Sequence, residues 1–257
     1  MNANPFAVVT GASTGIGFEL AKCCAHDGYD LLICADEPEI EQAAEALRDE
    51  TVAVETLMAD LGTREGTAAL CEAIADRPVD ALLANAGRGL GDAFLDEDLD
   101  KAVDVIDLNV VSTIALIHDV GRQMRARGSG KILITGSVAG FMPGSFQAVY
   151  NGTKAFLDSF SWALRNELKE RGVTVTCLMP GPTETEFFNR AGMQDTKIGS
   201  SDDKDDPAKV ARQGYEAMEE GVSGVTVGFM NKVQTTFAGI IPDSVLAEMH
   251  RRMAEPQ

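Results

Sequence analysis

A phenol and an ammonium group lie one helical turn apart in the second half of this 257-residue chain. Tyr150 and Lys154 are four positions apart in a stretch of helical pattern, so their side chains share one helix face. A phenol has a reference pKa of about 10, which a neighbouring ammonium group lowers by stabilising the phenolate. Tyr150 could therefore act as a general acid and base, although a Tyr-x-x-x-Lys pair taken alone also occurs by chance on helix surfaces.

A glycine-rich segment near the N-terminus could hold a phosphate group. Gly11, Gly15 and Gly17 follow the first apolar run and open a stretch of helical pattern. Glycine permits a tight turn and a close approach to a pyrophosphate, which the free N–H groups of a helix start attract. A structural turn explains a lone glycine cluster equally well, but the place of this one between a strand and a helix favours a dinucleotide site.

Asp36 ends the second apolar run, where a dinucleotide site needs a group for the adenosine ribose. Its carboxylate could accept hydrogen bonds from the ribose hydroxyls and would repel the extra 2′-phosphate of NADP. Neither the glycine turn nor residues 36–41 contain Lys or Arg, and Glu37, Glu39 and Glu41 add negative charge. An acidic helix N-terminus explains the glutamates but not the whole arrangement. We therefore predict NAD(H) as the cofactor and NADP(H) as the less favoured one.

Strand-length apolar runs alternate with longer stretches of helical period along the whole chain. The alternation predicts an α/β fold of the Rossmann type, in which one doubly wound parallel sheet is flanked by helices in a single domain. Strands are predicted at 6–10, 30–35, 52–57, 79–84, 131–136, 173–178 and 224–228. Helices are predicted near 15–27, 38–49, 63–76, 98–127 with a break allowed, 149–171 and 207–220.

Two segments near the C-terminus are expected to lie outside this alternation. Residues 183–206 end in a polar stretch before Pro207 and are predicted to be a mobile flap over the substrate. Residues 231–257 are predicted to be a helical tail that packs on its own subunit or on a neighbour. Its apolar residues at helical spacing are Val245, Leu246, Met249 and Met253.

The composition excludes several classes of partner. The formal charge is −18, from 40 acidic and 22 basic residues, and it would repel a nucleic-acid backbone or an anionic membrane surface. The five cysteines lack metal-ligand spacing, so we predict reduced thiols in or near the core and no metal site. No stretch approaches 18 apolar residues, and the first apolar run begins too near Met1 for a signal peptide, which makes a cytoplasmic location the expectation.

The order and spacing of these motifs resemble the short-chain dehydrogenase/reductase family over nearly the full length of the chain. Thr10-Gly11-x-x-x-Gly15-x-Gly17 is similar to its cofactor turn, and Tyr150-x-x-x-Lys154 is similar to its active-site motif. The matching segments between and after these are Asn85-Ala86-Gly87, Asn109, Ser137 thirteen residues before Tyr150, and Pro180-Gly181-Pro182-Thr183-Glu184-Thr185. The chain departs from the family pattern at Ala84, where a second Asn is common, and at Asn151 and Gly152.

The resemblance implies hydride transfer between a nicotinamide and a carbonyl or alcohol carbon of a small molecule. It implies that Tyr150 exchanges a proton with the substrate oxygen, that Lys154 holds the nicotinamide ribose and tunes Tyr150, and that Ser137 polarises the substrate oxygen. Asn109 would support a water chain that returns the proton. The implied cofactor-binding residues are Gly11, Ser13, Thr14, Gly15, Ile16, Gly17, Asp36, Asp60, Leu61, Asn85, Ala86, Gly87, Tyr150, Lys154, Pro180, Gly181, Thr183 and Thr185.

Purely structural roles could also explain some of these residues. Ser137 and Asp60 could be helix caps, and Asn109 could relieve backbone strain. The histidines His26, His118 and His250 match no motif and are expected to be structural or surface residues. Two other functions also remain: an NADPH-dependent carbonyl reductase, and an NAD(H)-binding sensor or scaffold without turnover.

Apolar residues predict the walls of a substrate pocket and an interface between subunits. By the resemblance, the pocket walls are Met142, Phe146, Phe187, Phe188 and Met193, which would suit an apolar substrate body, although core residues would look the same. Two helical stretches carry more apolar surface than one sheet can cover, so we predict a homodimer or homotetramer. The residues of that surface are Val103, Ile106, Val110, Ile114, Ile117, Phe156, Leu157, Phe160, Trp162, Ala163, Leu164 and Leu168.

Overall fold

Seven strands form one parallel sheet in the computed structural model, which describes residues 4–48, 52–75, 77–228 and 241–256. The spatial order is β3-β2-β1-β4-β5-β6-β7. β2 and β3 are added on one side of β1, and β4 to β7 on the other side, so the strand order reverses between β1 and β4. The strands are β1 Phe6–Thr10, β2 Asp30–Ala35, β3 Val54–Met58, β4 Ala81–Ala84, β5 Gly130–Thr135, β6 Val173–Met179 and β7 Gly224–Thr226. Each predicted strand is present, with ends that differ by a few residues.

Helices connect the strands and cover both faces of the sheet. They are α1 Gly15–His26, α2 Ile40–Leu47, α3 Arg64–Ile74, α4 Leu99–Ile106, α5 Thr113–Arg127, α6 Ala148–Leu168, α7 Phe187–Arg190, α8 Pro207–Glu219 and α9 Asp243–Ala254. Positions 49, 76, 231–240 and 257 of the predicted elements lie outside the described residues. The predicted Rossmann-type α/β architecture is confirmed.

The core has one layer on each side of the sheet. Helices α1, α2 and α8 pack on one face, where Leu20, Leu47 and Met218 are fully or almost fully buried. Helices α3, α5 and α6 pack on the other face around Met124 and Leu157. Since both faces are covered, the central strands are apolar along their whole length rather than alternating. The five cysteines are free, and each is buried or half-buried, as predicted.

The long helical stretch predicted at 98–127 contains a π-helical turn instead of a break. Helix α4 runs into the π turn Asp107–Ser112, which continues directly as α5. A π turn inserts one residue into the helix and so rotates the residues around it, and such turns are frequent at functional sites. This one contains Asn109, whose side chain is completely buried.

A third, smaller cluster lies beyond the carboxyl ends of the strands. It joins α7 to α9 through Phe188, Met193 and Ala254. The apolar stripe predicted for the tail is only partly covered by its own subunit: α9 buries Leu246 together with His250 and Ala254. Its other predicted members at 245 and 249 are each 47% exposed. Of the helices that the structure describes, none has the length and apolar character needed to cross a membrane. The mobility of residues 183–206 stays a prediction.

Candidate active site

A groove of about 1010 Å³ runs along the carboxyl ends of the strands. Such a crevice, beside the point where the strand order reverses, is where doubly wound sheets bind ligands. All the predicted cofactor-binding residues line it, as do the predicted catalytic residues Ser137, Tyr150 and Lys154. Asn109 is the exception, because it is buried behind the groove wall. The structure thus brings the separate motifs of the sequence to one place.

The glycine turn between β1 and α1 needs its glycines for two different reasons. Gly11 and Gly15 have φ angles of +64° and +58°, in the left-handed region that favours glycine. Gly17 instead has no room for a side chain, since a Cβ atom there would lie 2.0 Å from the carbonyl oxygen of Gly11. The Asn85 amide donates to the carbonyl oxygens of Thr10 and Gly11 at 3.1 and 3.3 Å. The turn is therefore held against the segment that follows β4.

Gly17→Ala is expected to remove nucleotide binding and to lower the free energy of unfolding by about 3 kcal/mol, because the added methyl group must displace the backbone of the turn. Chemical denaturation and nucleotide titration would measure both effects. A matched control is Gly121→Ala inside α5, where the nearest side-chain atom would be 3.8 Å from the new Cβ. That control should gain up to about 1 kcal/mol from helix propensity. Equal stability of the two variants would contradict this account of the turn.

Three predicted catalytic side chains converge beneath the groove. Tyr150, Lys154 and Ser137 are 9%, 5% and 8% exposed. The Lys154 Nζ atom donates to the carbonyl oxygen of Thr135 at 2.7 Å and lies 5.9 Å from the centre of the Tyr150 ring. The Ser137 Oγ atom accepts from the backbone N–H of Ala139 at 3.1 Å, so this hydroxyl caps a 3₁₀ turn and lines the groove as well.

Burial controls the pKa values of this group. Desolvation raises the pKa of Tyr150 to about 12, against a smaller lowering by the Ser137 hydroxyl. Desolvation also lowers the pKa of Lys154 to about 8, although Asp158 acts in the opposite direction. The pKa of the phenol is therefore not lowered as expected from the neighbouring ammonium group, since the cost of burying a phenolate is larger.

A buried carboxyl group, absent from the sequence-based predictions, lies one helical turn beyond Lys154. Asp158 Oδ1 accepts from the Ser137 backbone N–H at 3.3 Å and from the Cys177 thiol at 3.5 Å. Its Oδ2 atom has no hydrogen-bond partner among the described residues. Desolvation raises the pKa of this carboxyl group to about 6. Asp158 thus supports the loop that carries Ser137 from behind.

Both polar atoms of the Asn109 side chain are hydrogen-bonded to other protein atoms. Its Oδ1 atom accepts from the Arg88 backbone N–H at 2.9 Å, and its amide donates to the Arg88 carbonyl oxygen and to the Thr153 hydroxyl, both at 3.0 Å. It therefore fixes the backbone just after the Asn85-Ala86-Gly87 segment. The water chain that the family resemblance implies at this residue stays a prediction.

A cation that the local sequence does not reveal reaches the adenosine end of the groove. The Arg88 guanidinium lies 3.3 Å from Asp36 Oδ2 and 3.5 Å from Asp60 Oδ1. Asp60 Oδ1 also accepts from the Gly62 N–H at 2.9 Å, whereas the cap of α3 is the Thr63 hydroxyl. The sequence of residues 36–41 did not indicate this cation, because Arg88 comes from the loop after β4.

The segment predicted as a flap lies across the groove. The Phe187 ring packs against Tyr150 with 5.1 Å between ring centres. Arg190 pairs with Glu37 at 2.9 Å, and the Ser13 hydroxyl donates to Glu37 Oε1 at 2.5 Å. The turn, the end of β2 and α7 are thereby joined through one carboxylate.

The predicted substrate walls are partly wrong. Met142, Phe187 and Phe188 line the groove. Met193 is 1% exposed and packs with Phe146 in the cluster between α7 and α9, so these two residues belong to the core. Phe188 belongs to the same cluster and also lines the groove, so only Phe146 and Met193 lie away from it.

Both the sequence and the structure of the chain are similar to those of known proteins. The family model described as short chain dehydrogenase matches residues 5–196. An uncharacterized oxidoreductase of Staphylococcus saprophyticus is 31% identical over 229 residues, which cover 86% of this chain and 95% of that protein. Human 17-beta-hydroxysteroid dehydrogenase type 1 is 32% identical over 195 residues, which cover 73% of this chain and 60% of the human enzyme. The short-chain dehydrogenase from Sphingobium yanoikuyae in complex with NADPH has a TM-score of 0.82 at 27% identity, covering 93% of this chain and 96% of that chain.

Proposed function

The chain belongs to the short chain dehydrogenase family of NAD(P)-binding oxidoreductases, and we propose that it transfers a hydride between a nicotinamide and a carbonyl or secondary alcohol carbon with Tyr150 as general acid and base. The observation that carries this proposal is the position of Tyr150. Its buried hydroxyl-bearing ring lines the same groove as the glycine turn and lies beneath Phe187.

The residues of the groove fit a dinucleotide. Thr14, at the N-cap of α1, makes no side-chain capping bond in the described structure. The first N–H groups of a helix lack partners within the helix, so here they are available to an anion. Gly11, Gly15 and Gly17 keep side chains away from that position. We propose that the turn holds the pyrophosphate, that Asp36 and Asp60 hold the adenosine, and that Lys154 and Thr185 hold the nicotinamide end.

Tyr150 supplies and removes the proton in this proposal. A bound nicotinamide would donate or accept the hydride. The Tyr150 hydroxyl donates its proton to the substrate oxygen as a carbonyl is reduced, and it takes the proton back as an alcohol is oxidised. Because burial raises the pKa of Tyr150 to about 12, the hydroxyl is protonated at neutral pH and ready to donate. Oxidation needs the phenolate, which requires a positive charge nearby.

The neighbours of Tyr150 position and charge the site. Lys154 has one N–H bonded to the Thr135 carbonyl oxygen, and its remaining N–H groups are free to turn towards a ribose hydroxyl. The Ser137 hydroxyl donates to the Pro180 carbonyl oxygen at 3.4 Å, and by rotating it can instead donate to the substrate oxygen while its own oxygen accepts from Ala139. Phe187 covers the site and excludes water, which strengthens each of these polar interactions.

NAD(H) is the proposed cofactor because Asp36 lies at the end of β2. A 2′-phosphate on the adenosine ribose would lie next to this carboxylate, and the two negative charges would repel each other. Arg88 acts against this preference, since it lies 3.3 Å from Asp36 and would attract a phosphate. Arg88, together with the NADPH bound to the Sphingobium relative, makes an NADPH-dependent carbonyl reductase the second candidate.

The proposed substrate has an apolar body. Met142, Phe187 and Phe188 supply apolar surface to the groove, and the Phe187 ring packs against Tyr150. One relative is by its name a hydroxysteroid dehydrogenase, which acts on a largely apolar molecule.

The direct test is a panel of ketones and secondary alcohols, each assayed with NAD(H) and with NADP(H) by the absorbance of the reduced nicotinamide. We expect turnover of at least one apolar ketone with NADH. Nucleotide binding without turnover across a broad panel would favour the sensor or scaffold function instead.

We also propose that the protein is a homodimer or homotetramer. Helices α4 and α6 pack side by side and expose Val103, Ile106, Phe156 and Trp162, which are 44%, 42%, 43% and 45% exposed. Other residues predicted for this surface, such as Leu157, are instead buried against their own sheet. Large apolar side chains on two adjacent helices are typical of a protein interface.

Phe156→Lys is expected to weaken self-association by roughly 100-fold, because it places a charge in the centre of this apolar surface. Light scattering across a dilution series measures the shift towards monomer. Met58→Lys at the end of β3 is the control, since Met58 is 63% exposed and lies outside both helices of this surface. A monomeric mass for the unmodified protein at all concentrations would refute the oligomer.

A further inference from the structure

Two polar side chains in the wall of the groove have unused hydrogen-bonding capacity. Gln147 and His250 both line the groove, and each is only 3% exposed. Gln147 is at the N-cap of α6, three residues before Tyr150, yet its side chain makes no capping bond. Neither residue belongs to a motif of the dinucleotide site. Buried polar groups are nearly always hydrogen-bonded, so the Gln147 amide and the second ring nitrogen of His250, which have no partner among the described residues, indicate a ligand at this cavity wall.

The hydrogen-bonding state of His250 follows from its neighbour. Its Nδ1 atom lies 2.8 Å from the carbonyl oxygen of Ser145, which can only accept, so Nδ1 carries the hydrogen. Desolvation lowers the pKa of His250, which keeps the ring neutral near pH 7. The Nε2 atom therefore presents a lone pair, and it makes no hydrogen bond within the described residues. A group that fills this position must donate a hydrogen bond.

Residues 145–147 and helix α9, which carry Gln147 and His250, are held rigidly against each other. The Ser145 hydroxyl donates to the carbonyl oxygen of Ala247, and Arg251 lies 5.5 Å from the centre of the Phe146 ring. Phe146 has a φ angle of +62°, which is rare for a bulky residue and persists only where the surroundings enforce it. Helix α9 and residues 145–147 thus form one fixed wall, as a specific binding site requires.

We propose that Gln147 and His250 form a polar subsite for a hydroxyl group of the substrate, away from the reacting carbon. This inference rests on the proposed function and names its substrate class: a hydroxyketone in one direction and the corresponding diol in the other. A hydroxyl group donates to the His250 Nε2 lone pair, whereas a keto oxygen or a carboxylate has no hydrogen to give it. The Gln147 amide can donate to a hydroxyl oxygen or accept from its hydrogen.

A matched series of ligands tests the subsite. Methyl ketones of graded chain length are assayed with and without a terminal hydroxyl group. At the length that spans from Tyr150 to the subsite, we expect the hydroxylated ketone to have a kcat/KM roughly tenfold higher, mainly through KM. Gln147→Met and His250→Phe should each remove most of this advantage while turnover of the plain ketone persists. Met249→Gln is the control, because Met249 is on the same helix but 47% exposed outside the groove.

A binding measurement separates the subsite from catalysis. Calorimetric titration of the protein with saturating NADH compares alkanediols with the plain alcohols of the same length. Diols that bind more tightly, with the difference lost in His250→Phe, would support the subsite even if no ketone is turned over, in which case only the proposed reaction fails. Turnover or binding without any preference for the hydroxylated member at any length would overturn the subsite. Circular dichroism shows which variants are folded, and Gln147→Met decides the question if His250→Phe is not.

Discussion

Tyr150→Phe is expected to lower kcat by about 1000-fold, because general acid and base catalysis by a positioned side chain contributes of this order. The substitution removes only the hydroxyl group and keeps the ring that packs at 5.1 Å from Phe187. Nucleotide affinity should therefore be kept, and fluorescence titration measures it beside the rate. A binding protein without turnover would have no measurable kcat even before the substitution.

A second tyrosine on the far side of the sheet supplies the control. The Tyr215 hydroxyl donates to Asp27 Oδ2 at 2.9 Å and is 5% exposed, remote from the groove lining. Tyr215→Phe should cost about 1 kcal/mol of stability through the lost hydrogen bond and leave kcat unchanged. If both variants lost activity equally, the loss would report on folding, and Tyr150 would not be the proton donor.

Asp36→Ser is expected to shift the ratio of NADPH to NADH affinity by roughly 100-fold in favour of NADPH, since it removes a like charge from the place of the 2′-phosphate. Arg88→Met should shift the same ratio in the opposite direction. Its effect should be smaller, about tenfold, because the Arg88 guanidinium is shared between the carboxylates of Asp36 and Asp60, at 3.3 and 3.5 Å, which offset part of its attraction for a phosphate. Fluorescence titration with both reduced nucleotides gives each ratio without any need for a substrate.

Glu41→Gln is the control for a general change of charge. Glu41 accepts from the Thr56 hydroxyl at 2.6 Å and does not line the groove, so its substitution should leave the ratio unchanged. Tighter binding of NADPH than of NADH by the unmodified protein would show that Arg88 outweighs Asp36. The NAD(H) preference would then be wrong and the second candidate function would replace it.

The architecture could be predicted because short apolar runs and helical periods alternate without interruption. β1 and β2 were placed at their observed ends, since both lie between clear turn residues. The π turn at Asn109 could not be predicted, because it keeps the helical pattern and differs only in its hydrogen bonds. The apolar spacing of α9 did not show which residues its own subunit covers: His250 and Ala254 face inward, while Val245 and Met249 face outward.

The groove was predictable from motif order, because the carboxyl ends of parallel strands meet at one edge of the sheet. Residues whose role depends on tertiary approach were not. Arg88 meets Asp36 across 52 positions of sequence, and Asp158 meets Cys177 across 19. The raised pKa of Tyr150 has the same origin, since the depth of burial is a property of the folded chain.

The position of β1 at the centre of the sheet affects how the chain folds during synthesis. β1 leaves the ribosome before β2 and β3, which follow soon enough to form one side of the sheet with it. The opposite edge of β1 pairs with β4, where Ala7 meets Ala81, and so stays open until that part has been made. During this interval Val8 and its neighbours form an exposed apolar edge, which other nascent chains or chaperones can bind.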